Sequence, residues 1–465
     1  MKMRSIFMTC LLALSVCFLR AEVKMPAVFS DNMVLQQQSE VAIWGWAKAH
    51  ASVKVTTSWN NKGYSAKANQ EGYWKVMVKT PAASFTPYKV TVSDGKKITL
   101  NNVLIGEVWV CSGQSNMEMP MSGWTGQPIA NSSEDILNST NFGIRCYTMK
   151  RASKAEPQNL CEGSWEVADI ETTPKFTATG YYFARLLNRV LNVPVGLIHT
   201  SWGGSRIEAW MTKESLKDIP EKKIPQTDAD IKVENGTPTV LYNGMLHPIV
   251  GYGMRGAIWY QGESNCGEPD LYVKMFDKMV REWRAIWGVG EFPFYYCQIA
   301  PFRYGNLNSA LLREAQAKGL KTTPNTGMAV LMDAESPTLI HPAKKKDAGE
   351  RLAFWALAKT YGKNIPYRSP EPVSLTFEGR LGIITVEHVG LGITSWGKEV
   401  NNFKVAGEDG NFRPAKAVVT KDKIFVFSQY VEKPVAVQYC FDNTSATEIF
   451  TQEGLPMSSF QMSVK

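Results

Sequence analysis

Strands and helices alternate through the middle of this chain, and that alternation limits its fold more than any other feature. Apolar residues recur at helical spacing within residues 177–192, 271–288 and 345–362, which predicts three amphipathic helices. Between and around them lie five apolar runs typical of buried strands: EVWVCS, VPVGLIHTS, MRGAIWYQG, FPFYYCQIA and TGMAVLMD. Because strands joined through helices run parallel in one sheet, residues 106–362 are predicted to form an α/β domain with a parallel sheet.

The segments on either side of this domain show mainly strand signals. Short alternating apolar runs, divided by turn residues, fill residues 22–105, and Asp94-Gly95 marks a hairpin there. Similar runs return in residues 363–465. We therefore expect an N-terminal and a C-terminal β-sandwich-like module around the central domain.

The first 21 residues have the features of a secretory signal peptide. Lys2 and Arg4 precede an apolar run over residues 6–19, and Ala21 closes it with a small residue. The run is too short to span a bilayer with margin. We expect cleavage after Ala21, a periplasmic or secreted protein, and no transmembrane helix in the mature chain. Lipid attachment at Cys17 is the alternative.

Charge and cysteine content argue against several classes of function. The 465 residues carry a net charge of +8, and loss of Lys2, Arg4 and Arg20 with the leader would lower it to +5. The basic residues are mostly scattered, which argues against nucleic acid as a partner. Six cysteines follow residue 21, none in a C-x-x-C pair and none with a histidine at metal-ligand spacing. Neither a metal nor another cofactor is expected.

Four of the predicted strands end in clusters of small polar residues. In an open parallel sheet, the carboxyl ends of the strands form the edge at which ligands bind. Four such clusters in one α/β domain predict a site at that edge rather than four ordinary turns. The clusters are Ser112–Asn116, Ser201–Ser205, Gln261–Asn265 and Asp333–Glu335.

A serine in one of these clusters needs a base to become a nucleophile, and histidine is the usual base. The chain has five histidines. His50 and His388 belong to the β-modules, and His199 lies within a predicted strand. His341, between a polar loop and a helix at the end of the α/β domain, is the preferred candidate, and His247 is the alternative.

Four ordered motifs, GQSNM, SWGGSRIEAW, WYQGESN and IHPAKKKDAGERLA, resemble the SGNH-hydrolase superfamily and specifically its sialate O-acetylesterase branch. LREAQ at 312–316, YNGMLHP at 242–248 and GLP at 454–456 are also similar to that branch. The resemblance spans nearly all of the mature chain. It implies a flavodoxin-like parallel sheet with helices on both faces, and a carbohydrate O-acetylesterase that uses a serine nucleophile.

The resemblance makes Ser115 the nucleophile. It implies an oxyanion hole built from the N–H of Ser115, the N–H of Gly204 or its neighbour Gly203, and one side-chain amide. Where the superfamily usually has asparagine in its third motif, this chain has Ser264, so another amide must serve. The remaining candidates for the oxyanion and substrate site are Gln114, Glu263 and the two predicted amide donors, Gln261 and Asn265.

The residue that orients His341 departs from the superfamily pattern. An aspartate often precedes that histidine by two or three residues, but here those positions hold Leu339 and Thr338. Asp333 or Glu335 would have to fold back to the imidazole, or a backbone carbonyl would hold it in a serine–histidine dyad.

The resemblance implies an O-acetylated sugar or glycan as substrate, first of all an acetylated sialic acid. A sialate carboxylate requires a cation, and Arg206 is the candidate unless it forms a structural ion pair with Glu208 or Glu263. Acetylated xylan or another plant glycan is the alternative substrate. A glycan-binding protein with an inactive esterase domain is the alternative from another functional class, because the usual aspartate is missing.

Overall fold

The computed structural model describes residues 23–334 and 337–464. The predicted signal peptide, including Cys17, and the candidate acid Glu335 lie outside the described residues. Among the helices of the described residues, none combines the length and the apolar composition that crossing a membrane requires.

Six strands precede the central domain, and a seventh runs into it. They are β1 (Val34–Gln36), β2 (Glu40–Trp46), β3 (Ser52–Thr57), β4 (Gly63–Lys67), β5 (Tyr73–Lys79), β6 (Ser84–Ser93) and β7 (Lys97–Gly113). β3 pairs with β4 and β6, β6 pairs with the first part of β7, and β2 pairs with β5. β7 continues past residue 105, the predicted domain boundary, so one strand belongs to both sheets.

The central domain is built on a parallel sheet, as predicted. Its further strands are β8 (Asn141–Met149), β9 (Gly163–Ala168), β10 (Val195–Ser201), β11 (Gly256–Tyr260), β12 (Phe294–Cys297) and β13 (Thr326–Ala329). The order is β13-β12-β11-β7-β10-β8-β9, and only the β8–β9 pair is antiparallel among these described strands. The chain order changes direction beside β7, which is where open parallel sheets bind ligands.

Helices cover both faces of this sheet, which confirms the predicted fold class. They are α1 (Ser115–Glu118), α2 (Ser132–Leu137), α3 (Ala178–Leu191), α4 (Pro269–Trp287), α5 (Ser309–Thr322) and α6 (Lys345–Trp355). α4 packs with α5, and α3 packs with α6. Neighbouring strand residues face opposite layers: Trp259 packs in the core that includes α4, and Ile258 in the core that includes α3 and α6.

The packing of α4 also supports the third polar cluster. Met275 and Trp283 are buried on the apolar stripe that the sequence predicts, and Gly288 ends the helix in the left-handed conformation, with φ 69°. Full burial of such side chains contributes about 1.5–3 kcal/mol each relative to exposure. Tyr272 of the same helix donates to the carbonyl of Gln261 at 3.1 Å, so the helix holds the turn after β11.

The C-terminal module is antiparallel throughout its main sheet. Its strands are β14 (Glu371–Glu378), β15 (Leu381–Glu387), β16 (Ile393–Thr394), β17 (Val400–Ala406), β18 (Arg413–Val419), β19 (Lys423–Phe427), β20 (Ala436–Tyr439), β21 (Phe450–Thr451) and β22 (Phe460–Ser463). Seven of them form the order β14-β15-β19-β18-β17-β20-β22, and β16 pairs with β21. Buried Arg313 of α5 donates to the carbonyl of Asp442 at 2.5 Å and to Ser459 Oγ at 2.9 Å, which anchors the module to the central domain.

Candidate active site

Three of the four predicted polar clusters meet at one edge of the central sheet. Gly113 at the end of β7 pairs with Ser201 of β10 on one side and with Tyr260 of β11 on the other. The turns that follow these strands are therefore neighbours. The fourth cluster begins at Asp333, beyond β13 at the end of the sheet.

Ser115 stands directly after a sharp turn. Gly113 has φ 135°, and a Cβ there would lie 2.2 Å from the carbonyl oxygen of Tyr260, so the position requires glycine. The N–H of Gln114 donates to the same carbonyl at 2.9 Å, and Ser115 then opens α1. Ser115 is 8% exposed. Its hydroxyl forms no hydrogen bond within residues 23–334 and 337–464, so it is available at the sheet edge.

The glycine turn after β10 approaches Ser115 directly. A Cβ at Gly203 would lie 3.3 Å from the Cβ of Ser115. The N–H of Gly203 donates to Oε2 of Glu118 at 2.7 Å and is therefore occupied. Gly204 has φ 72°, and Ser264 Oγ donates to its carbonyl at 3.0 Å. The N–H of Gly204 meets no acceptor in the part of the chain that the structure describes, so Gly204 has the free donor of the pair.

The two amides predicted from the third motif are engaged elsewhere. Nε2 of Gln261 donates to the carbonyl of Ser205 at 3.1 Å and to Oδ1 of Asn265 at 2.7 Å. Nδ2 of Asn265 donates to Oε2 of Glu208 at 3.0 Å. Both side chains are completely buried. We assign to them the support of the glycine turn rather than contact with substrate.

Gln114 is the amide that keeps a free donor. Its Oε1 accepts from the N–H groups of Gly262 and Ser264, at 3.3 and 3.4 Å, which fixes the orientation of the amide. Its Nε2 has no acceptor among the described residues. Ser115 adds an N–H in the first turn of α1, where a helix supplies no acceptor. These groups and the N–H of Gly204 are the candidate oxyanion donors.

His341 contacts an amide. Its Nδ1 is hydrogen-bonded to Oε1 of Gln127, and its ring packs edge-on against Trp124, with centroids 5.0 Å apart. A carbonyl oxygen only accepts, so Nδ1 carries the proton and Nε2 is left as the base. Burial and the charge of Lys345 lower the pKa of His341 to about 4, which keeps the ring neutral at pH 7. No sequence pattern marked Gln127, because it lies 214 residues away in an irregular loop.

Asp333, one of the three groups considered for orienting His341, is bonded to an arginine instead. Its carboxylate accepts two hydrogen bonds from Arg351, at 2.7 and 2.6 Å. Arg351 also donates to the carbonyl of Val330 at 2.8 Å, so the pair ties α6 to the end of β13. No hydrogen bond joins Asp333 to His341 in the described chain.

The alternative base, His247, lies in other surroundings. Its Nδ1 is hydrogen-bonded to the carbonyl of Gln158 at 2.8 Å, and it lines a cavity of about 390 Å³ with Trp44 of the N-terminal module. By contrast, the residue before His341 accepts through its carbonyl from Asn116, the neighbour of the candidate nucleophile, at 3.0 Å. This contact favours His341.

Comparison with known proteins identifies the family. A sequence profile described as carbohydrate esterase, sialic acid-specific acetylesterase, matches residues 105–353, which is more than half of the chain. The chain belongs to this family. The matched segment contains the turn of Ser115, the glycine turn, the third motif and His341. The family resemblance seen in the motifs is thereby confirmed.

Relatives and a solved structure agree with this assignment. The chain is 29% identical over 429 residues to the sialate O-acetylesterase of Mus musculus, with 78% of each chain covered. It is 29% identical over 409 residues to that of Homo sapiens, covering 77% of this chain and 75% of the relative. A crystal structure of a carbohydrate acetylesterase from Xanthomonas citri matches with a TM-score of 0.87 and 33% identity, covering 96% of this chain and 100% of that chain. The protein is therefore a carbohydrate O-acetylesterase.

Arg206 of this esterase is part of a charged cluster beside the glycine turn. It pairs with Glu208 at 3.3 Å and with Glu268 at 3.6 Å, and its side chain remains 41% exposed. Lys222 bonds the same two carboxylates at 2.8 and 2.7 Å. The other partner considered for Arg206, Glu263, accepts instead from Asn116 at 2.5 Å beneath the site. Arg206 thus forms structural ion pairs and still has part of its side chain exposed to solvent.

A second arginine, Arg151, also lies near this turn. Its guanidinium pairs with Glu118 at 2.6 Å and lies 5.2 Å from the ring centroid of Trp202. Glu118 also accepts from the N–H of Gly203, so its carboxylate links Arg151 to the glycine turn. Its side chain is 51% exposed. Sequence reasoning missed this residue because the run that precedes it carries no motif.

Proposed function

We propose that this protein is a sialate O-acetylesterase in which Ser115 is the nucleophile and His341 the general base. The supporting observation is a set of free groups around one sheet edge: the hydroxyl of Ser115, Nε2 of His341, the N–H of Gly204 and the amide of Gln114. Acyl transfer needs a nucleophile, a base and fixed donors for an oxyanion. The four groups supply these three functions.

In the acylation step, Oγ of Ser115 attacks the acetyl carbonyl carbon while Nε2 of His341 takes the hydroxyl proton. Negative charge develops on the carbonyl oxygen and is stabilised by the N–H groups of Ser115 and Gly204 and by Nε2 of Gln114. The bond between the carbonyl carbon and the sugar oxygen then breaks. The imidazolium returns its proton to the departing sugar hydroxyl.

In the deacylation step, water attacks the acetyl group on Ser115, and His341 accepts the proton of that water. The same donors stabilise the second oxyanion. Collapse of this intermediate releases acetate, and the proton passes from His341 to Oγ of Ser115. In both steps the Nδ1–H bond to Gln127 holds the ring, with an amide oxygen in place of the usual carboxylate.

Two observations support a sialate as the sugar. The mouse and human relatives are named sialate O-acetylesterases. In addition, Arg151 and Arg206 both lie near the glycine turn with partly exposed side chains. A guanidinium has five donors, so either arginine can bind a substrate carboxylate and keep its present partner.

Acetate release from an O-acetylated sialic acid tests the proposed nucleophile and base. The native protein should be active, and Ser115→Ala and His341→Ala should each lose at least about 10³-fold in kcat. Ser122→Ala changes an exposed serine of the following loop and should keep full activity. Activity in Ser115→Ala would reject the assignment. Binding without hydrolysis by the native protein would favour the glycan-binding alternative.

Acetylated xylan is the comparison substrate that tests whether the enzyme prefers a sialic acid. It is chosen because the Xanthomonas relative is named only as a carbohydrate acetylesterase. Arg151→Gln and Arg206→Gln should raise KM for the acetylated sialic acid and leave KM for acetylated xylan unchanged. A preference of the native protein for xylan would replace the sialate assignment.

Export of the mature protein is part of the same proposal, supported by the leader with Lys2 and Arg4. Mass spectrometry of the secreted or periplasmic protein should give Glu22 as the first residue. A diacylated Cys17 would show a lipoprotein instead.

A further inference from the structure

The two peptide carbonyls on either side of His341 are both held by buried side chains. The carbonyl of Ile340 accepts from Nδ2 of Asn116 at 3.0 Å. The carbonyl of Pro342 accepts from Nζ of Lys345 at 2.6 Å. Lys345 also donates to Oδ1 of Asn116 at 2.8 Å, so the two side chains are bonded to each other.

Asn116 is held by residues around Ser115 as well as by the loop that carries His341. It follows Ser115 directly in α1, and its own carbonyl accepts from Thr179 Oγ1 of α3 at 3.0 Å. Its Nδ2 also donates to Oε1 of Glu263 at 2.5 Å. A backbone carbonyl only accepts, so the bond to Ile340 identifies Nδ2 and sets the orientation of the amide, and the bonds to Glu263 and Lys345 agree with it.

The polar and charged side chains of this network are buried. Asn116 and Lys345 are each 1% exposed and Glu263 is 8% exposed. Burial lowers the pKa of Lys345 to about 7, with Glu263 and Cys297 as the facing groups that oppose the shift. Burial raises the pKa of Glu263, and its Oε2 has no partner among the described residues. A buried charge network costs free energy that apolar packing would not, which suggests a role beyond stability.

The loop that carries His341 needs such support. Residues 337–344 form neither helix nor strand, so no ladder of backbone hydrogen bonds fixes the ring relative to Ser115. We propose that Asn116 and Lys345 form a clamp that positions His341 against Ser115 through the carbonyls of Ile340 and Pro342. Neither side chain touches the reacting atoms in this scheme. The inference rests on the proposed function, because it takes His341 as the base.

The clamp predicts a loss of kcat without a matching change in KM. Asn116→Ala and Lys345→Met should each lower kcat by about 100-fold, the scale expected when a catalytic group is displaced by about 1 Å. KM should change by less than about threefold, because substrate contacts remain. Reaction of Ser115 with a serine-directed phosphonate should slow in parallel, since it needs the same base.

Matched controls separate positioning from general destabilisation. Lys346→Met removes the same charge from the next residue, which is exposed, and should keep native kcat. Asn243→Ala removes another buried asparagine whose amide donates to two carbonyls, and should lower the melting temperature without lowering kcat. If Lys345→Met does not fold, Lys345→Gln takes its place, because it replaces the ammonium by an amide that can still donate but carries no charge.

The double variant Asn116→Ala/Lys345→Met decides between one clamp and two separate effects. A shared clamp predicts that the double variant loses little more kcat than the worse single variant. Losses that multiply, a rise in KM alone, or native kcat in both single variants would overturn the inference. Ser115→Ala and His341→Ala are measured beside them: if these two keep activity, the proposed function fails, and if only the clamp variants keep activity, the clamp alone fails.

Discussion

At the scale of single residues, the proposed base His341 is hydrogen-bonded to a neutral amide, whereas the base of a serine hydrolase is commonly paired with a carboxylate. The amide oxygen of Gln127 fixes the tautomer, because it can only accept from Nδ1. It carries no full negative charge, so it does little to stabilise the imidazolium. Burial and Lys345 both act against the charged ring as well, and the low pKa of His341 follows from these surroundings.

This pKa predicts an acid-tolerant enzyme. A protonated imidazole cannot take the proton of Ser115, so kcat/KM should fall as pH decreases through about 4 and be level at neutral pH. Lys345→Met removes a nearby positive charge, which raises the pKa of His341. The fall in kcat/KM on the acid side, the acid limb of the profile, should therefore move to higher pH. Lys346→Met, changed at an exposed position, should leave the limb in place. A native limb at the ordinary value of 6.5 would contradict this reading.

Asp333 is predicted to affect stability more than catalysis. Asp333→Asn leaves the guanidinium of Arg351 without its carboxylate, and should lower the free energy of unfolding by roughly 1–3 kcal/mol. Activity per folded molecule should fall by no more than about tenfold. Asp347→Asn is the control, because Asp347 lies 3.9 Å from Arg351 and is 40% exposed. A loss of about 10⁴ in kcat, as for the aspartate of a protease triad, would instead make Asp333 the acid of the site.

At the scale of elements, the turn between β7 and α1 determines where Ser115 stands. Gly113→Ala would force a side chain into a left-handed conformation and against the carbonyl of Tyr260. We expect a loss of at least about 1–3 kcal/mol in the free energy of unfolding and a large drop in phosphonate labelling of Ser115. Gly95→Ala has a comparable φ of 120° but open space around it, so it should cost less and keep labelling. Equal effects of the two variants would show that the contact with Tyr260 is unimportant.

Helical and strand periodicity predicted the elements that form the sheet and its long helices. The apolar stripe of α4 and the buried runs of β7 and β10–β13 carry strong local signals. The same reasoning placed four polar clusters at one edge, because the ends of parallel strands coincide, and three of them meet there. It could not find α1, which has only four residues, or the extension of β7 across residue 105, which depends on pairing with distant strands. Gln127 and Asn116 were missed as partners of the His341 loop for the same reason: their contacts are long-range.

At the scale of the whole molecule, the modules are continuous with the esterase domain. β7 pairs with β1 and β6 in its first part and with β10 and β11 in its second, so the N-terminal sheet extends into the strand that ends at the site. The family profile ends at residue 353, but the Xanthomonas structure matches 96% of the chain. The modules are thus shared with that carbohydrate acetylesterase.

Arg313 is a buried link between the C-terminal module and the esterase domain, and its loss is expected to lower the stability of the whole molecule. It is fully buried, and its guanidinium donates to the carbonyls of Cys440 and Asp442 and to Ser459 Oγ, all in the module. Arg313→Met keeps the apolar stem but leaves these acceptors without a donor, at a cost of about 3–5 kcal/mol in the free energy of unfolding. The midpoint of urea unfolding should fall accordingly, because the module loses three of its hydrogen bonds to α5. Arg281→Met, at a 53% exposed ion pair on α4, should change the free energy of unfolding by less than about 0.5 kcal/mol. Native stability in Arg313→Met would mean that the remaining contacts, such as the bond from the N–H of Ser309 to Oδ1 of Asn443, are enough to hold the module in place.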